Sequence, residues 1–156
     1  MWGRGVRPGR DALRGEPGAA ADAAELQDAL TGARDPRVAA RIADLEPAAA
    51  GVRRWSAPGG GRLVAVVSVW DSHPTAIGLG GDMARAPAAE GGAAWTPREA
   101  KGSRGARIDG DGHEEMRLSY GVGRNSLYVR AEGPVDPDVV IRTLNRLQAV
   151  ALAQTD

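Results

Sequence analysis

The side chains best suited to catalysis follow the most apolar stretch of the chain. Asp71, Ser72 and His73 come directly after the run at 63–70, and segments that leave a buried strand often carry functional residues. Asp71 and His73 could act as an acid–base pair, and a neighbouring base could activate the Ser72 hydroxyl as a nucleophile. Ser72 and Pro74 also suit a plain turn. The segment therefore predicts either a small hydrolase site or a turn without chemistry, and we prefer the turn.

A second cluster combines possible metal ligands within seven positions. Its members are Asp109, Asp111, His113, Glu114 and Glu115. Oxygen ligands this close together could hold a hard cation such as calcium. Counted from the first aspartate, however, the sixth position is Glu114 rather than glycine, and the twelfth is Tyr120 rather than glutamate. The DGDG run at 109–112 favours a β-turn for backbone reasons alone, so we predict a turn and keep Asp109, Asp111 and His113 as the alternative metal ligands.

Several classes of site are excluded by composition or by missing motifs. The chain has no cysteine, which rules out disulfides, thiolate catalysis and cysteine-ligated metals. It also has no Walker-type phosphate loop, no G-x-S-x-G nucleophile turn and no H-E-x-x-H zinc helix. We therefore predict no cofactor and no specific metal.

The N-terminal segment at 1–18 is basic and rich in glycine. It carries Arg4, Arg7, Arg10 and Arg14 among glycines and prolines, a composition that buries too little apolar surface to offset the entropy of ordering. We predict a disordered tail, with an arginine arm that contacts nucleic acid as the alternative. The formal net charge of the whole chain is zero, which gives no general attraction to nucleic acid and makes that alternative the weaker one.

The expected location is the cytoplasm, by elimination. The basic residues at the start precede no apolar stretch of the kind found in secretory signals. No run approaches the ~18 apolar residues that predict a membrane span. Arginine outnumbers lysine nineteen to one, and alanine and glycine are abundant, which is typical of proteins from GC-rich bacterial genomes.

Periodicity and turn signals predict the order of elements. Apolar spacings of three and four predict a helix over 19–32 that stops at Gly32. A second helix should begin at Asp35-Pro36 and continue to about residue 49, with an earlier end at Pro47 as the alternative. A hairpin over 51–70 follows, whose second strand is apolar on both faces and should be central. Residues 80–103 read as a long loop, either a lid or a linker. A closing helix should begin at Asp136-Pro137.

The C-terminal hairpin can be predicted in register. A two-residue turn at Gly123-Arg124 pairs Tyr120 with Leu127 and Leu118 with Val129. That register places Arg117, Ser119, Tyr128 and Arg130 together on the other face. Such a face could stack bases or bind a partner, but we predict a solvated strand face.

These elements predict an α+β fold in a single domain over 19–156. The sheet should be antiparallel, with about four to five strands, and the N-terminal helices and the C-terminal helix should pack on one face of it. We expect a small, soluble, non-enzymatic module that binds a ligand, another protein or a second copy of itself. The first alternative is a small hydrolase or metal-dependent enzyme that uses Asp71 and His73. The second is a nucleic-acid contact through the arginine arm.

Overall fold

A computed structural model describes residues 14–15, 19–20, 26, 28–29, 40, 44, 47–57, 59–83, 92–110 and 112–153. The strands are β1 Arg14–Gly15, β2 Ala19–Ala20, β3 Ala49–Ser56, β4 Arg62–Val69, β5 Gly92–Trp95, β6 Arg104–Gly110, β7 His113–Val122 and β8 Asn125–Glu132. The two helices with continuous bounds are α1 His73–Met83 and α2 Pro137–Ala153. Most of the tail predicted at 1–18 lies outside the described residues, but 14 and 15 form strand β1.

One antiparallel sheet organises the molecule. Its order is β3-β4-β8-β7-β6-β5, and the two-residue strands β1 and β2 pair with the outer side of β3. The α+β class is confirmed, but the expected four to five strands were too few, because six strands have four or more residues. The missed strand is β5, whose Gly-Ala-Ala-Trp sequence contains no β-branched residue and lies in the predicted loop.

The predicted hairpins are present. The β3–β4 hairpin spans the expected region, and β4 is central because β3 and β8 flank it. In the β7–β8 hairpin, Leu118 pairs with Val129 and Tyr120 with Leu127, as predicted. Gly123 takes a φ of 55° in the connecting turn, a conformation that glycine adopts without a side-chain clash.

The helices pack on both faces of the sheet, so the prediction of a single covered face was wrong. The face of the sheet in contact with α2, here called the α2 face, carries a core in which Leu118, Leu127 and Val129 meet Val140 and Leu144 of the helix. The opposite face, here called the α1 face, packs Val66 and Tyr128 against Ala76 of α1 and against Leu26. A central strand with two apolar faces requires cover on both sides.

The two predicted N-terminal helices lie mostly outside the described residues, but the expected start of the first was wrong, because Ala19–Ala20 form strand β2. Residues 26, 28, 29, 40 and 44 are helical. Pro47 is not helical and Ala49 begins strand β3, so the second helix does not reach residue 49 and the alternative end at Pro47 is the one that fits.

Each described helix begins at a capping residue. Asp136 Oδ1 accepts a hydrogen bond of 2.9 Å from the Asp138 N–H, which confirms the predicted start of α2. Ser72 Oγ accepts one of 3.3 Å from the Thr75 N–H and caps α1 in the same way. No helix among the described residues is long and apolar enough to cross a membrane.

Candidate ligand-binding groove

A groove lies on the α2 face, where α2 leaves the β3–β4 side of the sheet partly uncovered. Its volume is about 330 Å³. Three elements contribute three lining residues each: Gly51, Arg53 and Trp55 of β3, Leu63, Ala65 and Val67 of β4, and Thr143, Arg146 and Leu147 of α2. A volume at the lower end of the range for small-molecule sites suits one ligand of modest size.

The strand register explains the floor of the groove. Ala65 pairs with Arg53 and Val67 pairs with Gly51, and alternate residues of a strand point to the same face. Ala65 is buried and Val67 is half-buried. Because Gly51 has no side chain that could pack beside its cross-strand partner Val67, the groove stays open at that end.

Two arginines contribute to opposite walls of the groove. Arg53 comes from β3 and Arg146 from α2, and both residues are exposed. The Arg53 guanidinium lies 5.2 Å from the ring centroid of Trp55, a cation–π contact that favours one position for the long side chain. Within the described part of the chain, neither arginine forms an ion pair with a carboxylate, and the lining contains no acidic residue.

The groove can bind a molecule but offers little chemistry. Thr143 is the only hydroxyl among its described lining residues, and its Oγ1 donates a hydrogen bond of 2.7 Å to the carbonyl oxygen of Val139. No carboxylate or imidazole stands beside it among the described lining residues to act as a base. Nucleophilic catalysis needs such a partner, so this arrangement favours binding.

The predicted catalytic segment starts helix α1. Ser72 Oγ lies 2.9 Å from Thr75 Oγ1, in addition to its capping role. His73 Nδ1 lies 2.5 Å from the carbonyl oxygen of Gly123, so the ring nitrogen donates its proton to the β7–β8 turn. Asp71 is exposed beside them. Ser72 therefore caps α1 and His73 connects α1 to the hairpin turn. A catalytic role for the three residues stays a prediction.

The predicted metal cluster falls at the β6–β7 turn. Asp109 and Glu114 form an antiparallel pair at the ends of the two strands, and Gly112 takes a φ of 75°. Asp111 and the side chain of His113 lie outside the described residues. Glu115 points away from solvent and forms an ion pair of 2.6 Å with Arg117. In the described ranges, no three acidic or histidine side chains are grouped as metal ligands.

The polar face of the last hairpin is buried, which contradicts the predicted solvated face. Arg117, Ser119 and Arg130 are 8, 4 and 7% exposed, and Tyr128 is fully buried. Arg130 forms an ion pair with Glu132 on the same strand. The alternation of polar and apolar residues distinguishes the two faces of a strand but does not show which face is exposed to solvent. In this hairpin both faces are buried.

Tyr128 lies at the centre of this buried polar face. Burial raises the pKa of its phenol from 10.0 to about 12, although the positive charges of Arg117 and Arg130 oppose the shift. Within the described part of the chain, its hydroxyl has no hydrogen-bond partner, and the same holds for Ser126 Oγ and Arg130 Nε. These atoms lie in the packed interior, so the face is closed to the stacked bases or partner considered from the sequence.

Comparison with known proteins supports the architecture alone. No family model matches this chain, and no curated protein matches it. The chain is similar to a solved structure, the crystal structure of the extracellular domain of PknH from Mycobacterium tuberculosis, with a TM-score of 0.50 and 13% sequence identity. The match covers 86% of each chain. At that identity the likeness shows a shared fold.

The groove residues were missed from the sequence, although a weak signal exists. Arg53 and Trp55 are separated by one residue, as same-face neighbours on a strand must be. Thr143, Arg146 and Leu147 follow the spacing of one helical face. Neither pattern shows that β3 and α2 face each other across a groove, because that arrangement depends on β4, β8 and the position of α2 on the sheet.

Proposed function

We propose that this protein is a non-catalytic binding module whose ligand occupies the groove between β3, β4 and α2. The observation that carries the proposal is the open groove itself, with its apolar floor at Leu63 and Ala65 and a volume of about 330 Å³. Apolar concave sites with a few polar groups at the edge are the usual form of small-molecule sites.

A binding role agrees with the distribution of hydrogen bonds around the molecule. In the segment first considered for catalysis, Ser72 Oγ caps helix α1 and His73 Nδ1 donates a hydrogen bond to the Gly123 carbonyl oxygen. The groove, in contrast, leaves Arg53 and Arg146 exposed beside apolar residues. Of these two places, the groove has the apolar surface that a ligand could cover.

The binding of a neutral, environment-sensitive dye tests the proposal. Nile red should bind the purified full chain saturably, with a blue-shifted emission and a micromolar dissociation constant. Val67→Trp should abolish this binding, because the indole would fill the floor of the groove. Absence of saturable binding by the native chain would overturn the proposal.

Val69→Trp is the matched control. Val69 is also a half-buried valine on the same face of β4, but it lies outside the lining of the groove. Both variants add the same bulk to the same strand, and circular dichroism should show both to be folded. Equal dye binding by the two variants would place the bound dye elsewhere and would also refute the proposal.

Other predictions from the sequence remain open. The hydrolase alternative rests on Asp71, Ser72 and His73, and loss of a measured hydrolytic activity in His73→Ala would support it. The arginine arm lies outside the described residues except for position 14. The cytoplasmic location and a protein partner likewise stay predictions.

A further inference from the structure

We infer that the groove takes an anionic amphiphile, a molecule with an apolar chain and a carboxylate or phosphate head that Arg53 and Arg146 bind. This inference rests on the proposed function, because it names the class of ligand for the same groove. It adds that the head must carry negative charge, which the apolar floor alone does not require.

The first argument is the imbalance of charge around the groove. Among the described lining residues there are two guanidinium groups and no carboxylate. Two other arginines of the sheet, in contrast, have acidic partners: Arg54 pairs with Asp28 at 3.6 Å, and Arg117 pairs with Glu115 at 2.6 Å. An anionic head would supply the partner that the groove lacks.

The second argument is the hydrogen-bonding capacity of the walls. Each guanidinium has five N–H donors and no acceptor, in a geometry suited to carboxylate and phosphate oxygens. Thr143 already donates its hydroxyl proton to Val139, so it cannot add a donor without losing that bond. The available donors in this wall are therefore cationic, and they favour an acceptor with negative charge.

The third argument is the arrangement of charge relative to the apolar surface. The Arg53 guanidinium packs over the Trp55 ring. Both side chains are more exposed to solvent than the floor residues Leu63 and Ala65, which are 2% and 4% exposed. A ligand that places its chain on the floor would leave its head at the level of the arginines. The limited volume favours one short-chain amphiphile over a macromolecule.

The experiment compares ligands that differ in the head group alone. Decanoate, decyl phosphate and decanol are titrated against the full chain loaded with Nile red, and displacement gives each affinity. Decanoate and decyl phosphate should bind at least about tenfold more tightly than decanol, because hydrogen bonds to charged groups exceed neutral ones. Added salt should reduce that preference, since both arginines are exposed.

The double variant Arg53→Gln, Arg146→Gln identifies the source of the preference. It should bind the two anions no more tightly than it binds decanol, and circular dichroism should show that it is folded. Arg142→Gln is the matched control, because Arg142 is an exposed arginine of α2 outside the groove lining. It should keep the full preference.

The possible failures are distinguishable. If decanol and decanoate bind equally and Val67→Trp blocks both, the groove is a ligand site and the inference about charge is wrong. If the preference persists in the double variant, the head is bound elsewhere and the inference is also wrong. If Val67→Trp blocks neither compound, the proposed function itself fails.

Discussion

The two faces of the sheet both carry buried side chains but differ in chemistry. On the α2 face, the buried core is built from aliphatic side chains such as Leu118, Leu127 and Val129. On the α1 face, Tyr128 is buried beside the charged residues Arg117 and Arg130. The open groove lies on the aliphatic face. The comparison shows that polar residues on a strand need not be exposed to solvent. It also shows that the face open to a ligand need not be the polar one.

The largest expected effect tests whether the charges on the α1 face are really buried. Arg117→Ala should destabilise the protein by about 3–5 kcal/mol, because it removes an ion-pair partner of the buried Glu115 carboxylate. Urea unfolding measures the change. The double variant Arg117→Met, Glu115→Leu should recover much of the loss, since it removes both charges.

Arg142→Ala is the exposed control for this experiment. It should change the free energy of unfolding by no more than about 0.5 kcal/mol. If Arg117→Ala were equally mild, the α1 face would be solvated after all and the contrast between the faces would disappear.

On the aliphatic α2 face, the loss of one side chain should reduce the free energy of unfolding slightly less than Arg117→Ala does. Leu118 is fully buried, and Leu118→Ala should cost about 2–5 kcal/mol through lost transfer energy and the cavity that remains. Val129→Ala should cost less, because fewer methyl groups leave. Val150→Ala, on the exposed side of α2, serves as the control, and urea unfolding of the three variants gives the order. A loss of stability as small as that of Val150→Ala would contradict the assignment of Leu118 to the core.

A smaller effect is expected at the turn, which belongs to neither face. Gly123→Val should cost about 1–3 kcal/mol, because a β-branched residue is strained at the φ of 55° that this position requires. Gly110→Ala is the comparison, since a Cβ there would meet no atom within 4 Å and its φ is not left-handed. Thermal unfolding should separate the two. Equal melting temperatures would contradict the role assigned to this turn.

The smallest expected effect is at Tyr128. Its buried hydroxyl has no hydrogen-bond partner among the described residues, so Tyr128→Phe should be neutral or stabilise the fold by up to about 1 kcal/mol. Burial raises the pKa of this phenol to about 12, so the native state retains the proton more strongly than the unfolded chain does. The stability that this provides is present below pH 10.0 and is lost as the pH rises to about 12.

Urea unfolding across that range of pH measures the effect of the phenol. The native chain should lose stability more steeply above pH ~10 than Tyr128→Phe does. Tyr120→Phe, which removes the hydroxyl of the other tyrosine, is the matched control and should keep the steep slope. Identical slopes for the native chain and Tyr128→Phe would contradict the burial of this group.

The sequence was a good guide where local chemistry and packing agree. β4 is dense in valine, the β7–β8 register follows from one glycine turn, and α2 begins at an aspartate cap, so these elements could be predicted. The start of α1 was missed although Ser72 and Pro74 are typical of a helix start. Ser72 and Pro74 are also common in turns, and for that reason the segment was predicted to be a turn.

The remainder could not be predicted because it depends on contacts between distant segments. The burial of Arg117 follows from helices placed on both faces, and the groove follows from the distance between α2 and β3 across the sheet. Neither arrangement leaves a local pattern. The candidate site was therefore invisible in the sequence, whereas the strands that form its floor were predicted.

The pairing of β1 and β2 with β3 has a consequence for self-association. An uncovered edge strand offers a row of backbone N–H and C=O groups to any other extended chain, which is a common start of aggregation. Here Arg14–Gly15 pairs with Trp55 and Ser56, and Ala19–Ala20 pairs with Gly51 and Val52. Two short pieces of the chain thus occupy the outer side of β3 and keep the sheet from growing in that direction.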